Sequence, residues 1–228
     1  MKYKYLIIGF WLVYNIGYSQ EGSIFVELNY NSFMHTSLKS FQEEFRGDMP
    51  EIPIKINDNF PANFGITAGY KINSLDAALL FSYNSTGGKI SYSDYSGIVR
   101  LTQPLKAYSL GGEYFIELDK SSSNLSLGLK GFMTYSMLEI DSYTQIADEV
   151  NKDNIKLQSI DFGVGGRLIY EYPLSFFMLR ASIGVDVVIG GKLKFKENNE
   201  YHLENNNGDP VKTNWTGLRT GIGISVPL

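Results

Sequence analysis

The sequence predicts an all-β fold, an eight-stranded antiparallel up-and-down transmembrane β-barrel with short periplasmic turns and long extracellular loops. Three features point to it. Period-two alternation recurs eight times, with no sustained helical period in the second half. The connections between these runs alternate between short and long, the rhythm of an outer-membrane barrel with both termini on the short-turn side. The later runs carry one apolar, uncharged face and one face of Gly, Ser and isolated charges.

Composition narrows the function classes. The chain has 228 residues, 20 basic and 24 acidic side chains, 23 glycines and no cysteine. Without cysteine there is no disulfide scaffold, thiolate metal site, cysteine nucleophile or lipidated N-terminal cysteine. A slightly acidic balance with no basic stripe argues against nucleic acid as a partner. Glycine is enriched but follows no G-x-y period, so collagen and low-complexity disorder are excluded. Residues 1–19 read as a secretory signal peptide. Lys2 and Lys4 form its basic region, Tyr5–Tyr14 its apolar stretch, and Gly17 and Ser19 the small-residue site for cleavage before Gln20. The barrel domain is then 20–228, with 18 basic against 24 acidic residues.

The eight runs fall at about Ser23–Phe33, Asn63–Ile72, Ala77–Thr86, Leu105–Leu118, Asn124–Met137, Leu157–Tyr172, Ser175–Gly190 and Thr213–Val226. Short turns are expected at Asn73–Asp76, Asp119–Ser123 and Tyr172–Leu174. Long polar loops are expected at His35–Ala62, Gly87–Pro104, Leu138–Lys156 and Gly191–Lys212. Pro50, Pro53, Pro61 and Pro210 lie in long loops, Pro173 in a short turn, Pro104 before its strand and Pro227 near the end, so none interrupts a strand centre. Turn chemistry is expected at Thr86-Gly87-Gly88 and Asn205–Pro210. Leu38–Met49 fits a short helix in the first long loop.

Both membrane and soluble barrels alternate, so the composition of the two faces decides between them. Phe177, Leu179, Ala181, Ile183, Val185, Val187 and Ile189 oppose Met178, Arg180, Ser182, Gly184, Asp186 and Val188. Leu218, Thr220, Ile222, Ile224 and Val226 oppose Arg219, Gly221, Gly223 and Ser225. A solvent-facing sheet surface would not be rich in glycine, which loses β-propensity there. A narrow interior needs small residues to make room for large side chains from the opposite wall. The apolar face therefore points to lipid. A soluble barrel with its faces reversed is the weaker alternative.

The inward face carries four acids, Glu27, Glu113, Asp161 and Asp186, and four bases, Lys130, Arg167, Arg180 and Arg219. Unpaired buried charge is costly, so equal numbers predict an interior ion-pair network rather than a conducting pore. Aromatic girdles are expected at Tyr30, Phe33, Tyr83, Tyr135, Phe162 and Trp215 on the long-loop side. On the short-turn side they are expected at Tyr70, Tyr114, Phe115, Tyr170, Tyr172, Phe176 and Phe177.

Little in the sequence suggests catalysis. His35-Thr36-Ser37, with Glu43 and Glu44 nearby, invites comparison with barrel enzymes that use His and Ser near the rim, but the triplet begins a loop and no fixed orienting acid is identified. His35 and His202 are read as solvated loop residues, with no catalytic or cofactor-binding residue assigned. Asp141, Asp148, Glu149 and Asp153, and Glu197, Glu200, Glu204 and Asp209, lack the spacing of a calcium loop, so no metal is expected. Lys192, Lys194 and Lys196 alternate with Leu193 and Phe195 and could meet lipopolysaccharide phosphates.

The chain resembles the small outer-membrane β-barrel family widespread in Bacteroidota, related in architecture to the OmpA and OmpX barrels. The resemblance rests on Tyr18-Ser19-Gln20, the run Tyr108-Ser109-Leu110-Gly111-Gly112-Glu113-Tyr114-Phe115, and the Gly-alternating stretch Leu218–Leu228. It implies location in the bacterial outer membrane, contact with lipid and lipopolysaccharide, and handling by the barrel assembly machinery. The ending Val226-Pro227-Leu228 departs from the aromatic terminus common in such barrels. Two function classes follow. One is a non-enzymatic barrel that anchors four extracellular loops for envelope integrity, adhesion or partner contact. The other is a barrel that binds or transports a small ligand.

Overall fold

The computed structural model describes residues 22–95, 97–118 and 124–228. The signal segment 1–19, the cut before Gln20 and the turn at 119–123 lie outside the described residues. Among those described, ten strands form: β1 (Gly22–Phe33), β2 (Lys55–Asn59), β3 (Asn63–Ile72), β4 (Ala77–Ser93), β5 (Gly97–Glu117), β6 (Leu125–Ile146), β7 (Glu149–Leu174), β8 (Phe177–Gly190), β9 (Lys194–Phe195) and β10 (Gly217–Pro227). An α-helix, α1 (Thr36–Gly47), follows β1.

Eight of these strands close a ring in the order β1-β3-β4-β5-β6-β7-β8-β10, every neighbour antiparallel. The closing seam joins β1 to β10 from Ser23↔Pro227 to Phe33↔Gly217. A closed ring leaves no sheet edge, the condition for a β-structure to span lipid. Its outer surface fits that medium. Ile24, Val26, Leu28 and Tyr30 on β1, Leu179, Ile183, Val185 and Val187 on β8, and Leu218, Ile222 and Ile224 on β10 all point outward and are exposed. A continuous apolar belt of this extent has no place on a water-soluble surface. The fold is an eight-stranded up-and-down transmembrane barrel.

Several expectations change at the long-loop end. The segments read as loops at Gly87–Pro104 and Leu138–Lys156 are largely strand. β4 and β5 continue as a hairpin to Ser93↔Ile98, and β6 and β7 continue to Ile146↔Glu149. Their inward residues Ile90, Leu101, Leu138, Ile140 and Leu157 are buried, so period-two alternation persists beneath polar outward residues. Thr86-Gly87-Gly88 is therefore part of β4 rather than a turn. Pro104 stands mid-strand in β5, and the β5–β6 ladder has no partners at Gln103 and Pro104, as a residue without an N–H requires. The last short turn is Ser175–Phe176, which places Pro173 at the end of β7 opposite Met178. β10 starts at Gly217; Thr213 and Trp215 instead turn into the barrel mouth and are buried.

Phe33, Phe115 and Trp215 leave the girdles as well, being buried inside. For the two strand residues parity explains it: Phe33 shares the inward side of β1 with Glu27, and Phe115 that of β5 with Glu113. Tyr30 and Phe162 at one rim and Tyr114, Tyr170, Tyr172 and Phe176 at the other do face outward. The turn expected at Asn205–Pro210 forms around Gly208 (φ +81°) and Asn205, whose side chain accepts from Asn207 and Asp209.

The belt yields a direct prediction. Ile222, 75% exposed and paired with Leu28 and Ala181 near the strand centres, should not tolerate charge. Ile222→Arg is expected to cost about 2–4 kcal/mol of folding free energy in a lipid bilayer. Equilibrium refolding into vesicles measures this, and a neutral substitution would contradict lipid contact at that site.

Candidate functional site: sealed interior and outer cap

The interior is stratified. Near the short turns Phe25, Ala78, Leu80, Phe115 and Ile169 form an apolar plug. Above it lies the charged layer. Arg167 donates through Nε and Nη2 to Glu113 (2.6 and 2.5 Å) and through Nη1 to Glu27 (2.7 Å). Arg180 donates through Nε to the other oxygen of Glu27 and through Nη1 to Glu171 at 2.5 Å. Lys130 Nζ approaches Asp186 at 2.8 Å, and Arg219 Nε reaches the same carboxylate at 3.3 Å. The forked Arg167–Glu113 contact is the strongest geometry available to such a pair.

Seven of the eight charges expected in the network are thus brought together. Asp161 is not among them. It sits nearer the long-loop end, where the Thr213 hydroxyl donates to it at 3.0 Å and that of Ser136 at 3.4 Å. Glu171 takes the fourth acid's place. It shares the inward parity of Arg167 on β7, so strand alternation carried the signal, but it lies close to the turn.

Small residues make room for these charges. A Cβ on Gly165 would strike Asp186 and the Lys130 side chain, and one on Gly128 would strike Glu113. Above the charges, Asn29, Thr67 and Ser82 form a hydrogen-bonded row, and Asn31 Nδ2 donates to Asn84 at 3.0 Å. Ser109 and Thr134 share another hydrogen bond at 2.8 Å. The void among these polar residues is only about 20 Å³. Among the described residues, an interior filled in this way leaves little room for a solute.

At the long-loop end the connections share one buried core. Leu38 of α1, Ile54, Phe60, Leu193, Val211 and Trp215 pack with the inward residues of the extended hairpins. Polar ties reinforce the packing. Lys212 N donates to Ser37 Oγ at 3.0 Å, and Asn206 binds Glu44 and Asp48 at the helix end. His35 corrects the reading of a solvated residue, for it is fully buried. Its φ of 45° turns the chain from β1 into α1, and its ring packs edge-on against Trp215 with centroids 4.6 Å apart. His35 Nδ1 hydrogen-bonds the Thr213 carbonyl at 2.6 Å, while Ser37 Oγ accepts from the N–H of the preceding residue, Lys212. The two side chains therefore serve the packing of the last loop.

The cap surface holds a cleft of about 700 Å³ between the β6–β7 hairpin and the last loop. Phe195, Ile155 and Tyr201 line it with Asp153, Lys156 and Glu204. His202 Nε2 lies 3.1 Å from Glu204 at its margin. Aromatic walls flanked by carboxylates suit hydroxyl-bearing or cationic groups. Among the described residues, no three acidic or His side chains converge as metal ligands. Lys192, Lys194 and Lys196 are exposed around buried Leu193 and half-buried Phe195 on this same end.

No family model and no curated protein matches the chain. Solved structures align over most of its length. Neisserial surface protein A is 14% identical over 90% of this chain and 96% of its own, with a TM-score of 0.38. Ail, the attachment invasion locus protein of Yersinia pestis, is 12% identical over 92% and 99%, with a TM-score of 0.39. The N-terminal β-barrel domain of Pseudomonas aeruginosa OprF is 13% identical over 92% and 100%, with a TM-score of 0.31. At these values the fold assignment rests on the closed strand ring itself.

Two outcomes follow from the buried charges. Glu27→Ala removes the carboxylate shared by Arg167 and Arg180 but leaves each with one acid, Glu113 and Glu171, and is expected to cost about 1.5–3 kcal/mol, whereas Asp161→Asn removes a charge with no cation partner among the described residues and should be neutral or stabilising. Denaturant titration in detergent or vesicles separates the two. Burial pushes the His35 imidazole down to about 4, against a weaker upward pull from the Thr213 carbonyl and a small further lowering by Lys39. The folded cap thus prefers neutral His35. Its contribution is complete above the ordinary histidine value and is lost as pH falls toward 4, by about 3 kcal/mol. Trp215 fluorescence and loop proteolysis should report cap opening in that window, and His35→Asn should flatten the response.

Proposed function

We propose that the chain is a non-enzymatic outer-membrane protein whose plugged barrel anchors an ordered extracellular cap for partner contact, in adhesion or in maintaining the envelope. The observation that carries this reading is the continuity of the cap core with the barrel wall. The connecting segments converge on Leu38, Phe60, Leu193 and Trp215. Ordering this much chain costs conformational entropy, which a mere set of connections need not spend. A fixed surface with an aromatic and acidic cleft fits recognition, and the filled interior speaks against a transport role. Lys192, Lys194 and Lys196 form an exposed cationic row suited to lipopolysaccharide phosphates beside that surface.

In planar bilayers the purified protein is expected to give no stable conductance. Discrete, reproducible channel openings would contradict the anchor reading and favour transport. A triple Lys192→Ala, Lys194→Ala, Lys196→Ala variant should fold normally and bind lipopolysaccharide more weakly. Unchanged binding would remove that contact from the proposal.

A further inference from the structure

We infer that the barrel interior contains a binding site for one monoatomic monovalent anion of chloride size, held between Lys130 and Arg219. The ion pairs divide unevenly along the barrel. Arg167 and Arg180 are served by three carboxylates, Glu27, Glu113 and Glu171. Lys130 and Arg219 share one, Asp186. The surplus acid is at the wet end, since the Glu171 side chain is 13% exposed beside the short turns. The surplus base is enclosed, the Lys130 and Arg219 side chains being 8% exposed each.

Three further features converge there. Arg219 Nη1 is buried and has no hydrogen-bond partner among the described residues. The void of about 20 Å³ is bounded by Arg219, Lys130, Arg167, Ser82 and Ser109. That volume accepts a single water or monoatomic ion and excludes sulfate, phosphate and carboxylates. The Ser109 hydroxyl shares a hydrogen bond with Thr134 in which either oxygen can be the donor, so Ser109 can turn its proton toward an anion. The Asp186 carboxylate also borders the void, with its oxygens already engaged by the two cations. A water molecule would leave the second positive charge with no carboxylate of its own in contact, since Glu27, Glu113 and Glu171 are engaged by Arg167 and Arg180.

The test begins with the whole protein refolded into detergent in sodium bromide and crystallised. Anomalous diffraction at the bromine edge should place a peak between Lys130 Nζ and Arg219. In parallel, thermal unfolding is followed as chloride replaces gluconate at constant ionic strength. A saturable rise of about 3–6 °C is expected at ten times the dissociation constant. Lys130→Met, which leaves Arg219 paired one-to-one with Asp186, should abolish the rise, as should the void-filling Ser109→Val. A bromide-free interior with ordinary solvent density, or superimposable chloride and gluconate curves for the unaltered protein, would overturn the assignment. Neither readout depends on a variant folding.

Discussion

A sheet of eight strands closed on itself leaves each inward side chain with nowhere to go except against the opposite wall. That constraint governs the rest of the structure. The space must be filled, and a charge placed in it must be held by other inward side chains rather than by water. Glu27 illustrates the solution. It lies on β1 next to the closing seam, yet it is held by Arg167 from β7 and Arg180 from β8. The ion pairs thus cross-link walls that backbone hydrogen bonds connect only through intervening strands. Glycines such as Gly128 and Gly165 are the other half of the arrangement, because the large side chains of Glu113, Lys130 and Asp186 on the neighbouring strands lean over them.

The same filling rule shapes the outer end. Where β4–β5 and β6–β7 rise above the belt, their inward residues remain apolar and need cover. α1 and the last loop supply it, with Leu38, Trp215 and the neutral imidazole of His35 closing the mouth. A barrel sealed in its middle and capped at its outer end is suited to presenting a surface. The cleft bordered by Tyr201, Glu204 and Phe195 and the lysine row beginning at Lys192 lie on that surface. The functional reading therefore moves outward, from the charges that stabilise the barrel to the cap that they support.

Much of this was legible in the sequence because a membrane barrel obeys a strong local code. Alternation assigned faces correctly on β7, β8 and β10, and the Gly and Ser content of one face identified it as the interior. The code weakened wherever tertiary packing takes over. Leu138–Lys156 looked like a loop because its outward residues meet water while Leu138, Ile140 and Leu157 are covered only by the folded cap. His35 looked solvated because nothing local says that Phe33, Phe60 and Trp215 will converge on it. Asp161 and Glu171 exchanged places in the network because parity fixes a face but not a height along the barrel axis. Pairing across the lumen depends on that height.

The central claim is that the apolar face meets lipid around a closed, internally filled barrel. Heat modifiability tests it most directly. The protein is expressed with its N-terminal segment, the outer-membrane fraction is extracted in mild detergent, and boiled and unboiled samples are compared on an SDS gel. A closed membrane barrel will sediment with the outer membrane and migrate faster unboiled than boiled. A protein that stays in the soluble fraction and shows no mobility shift would contradict the account, placing the apolar face inward and the charges outside.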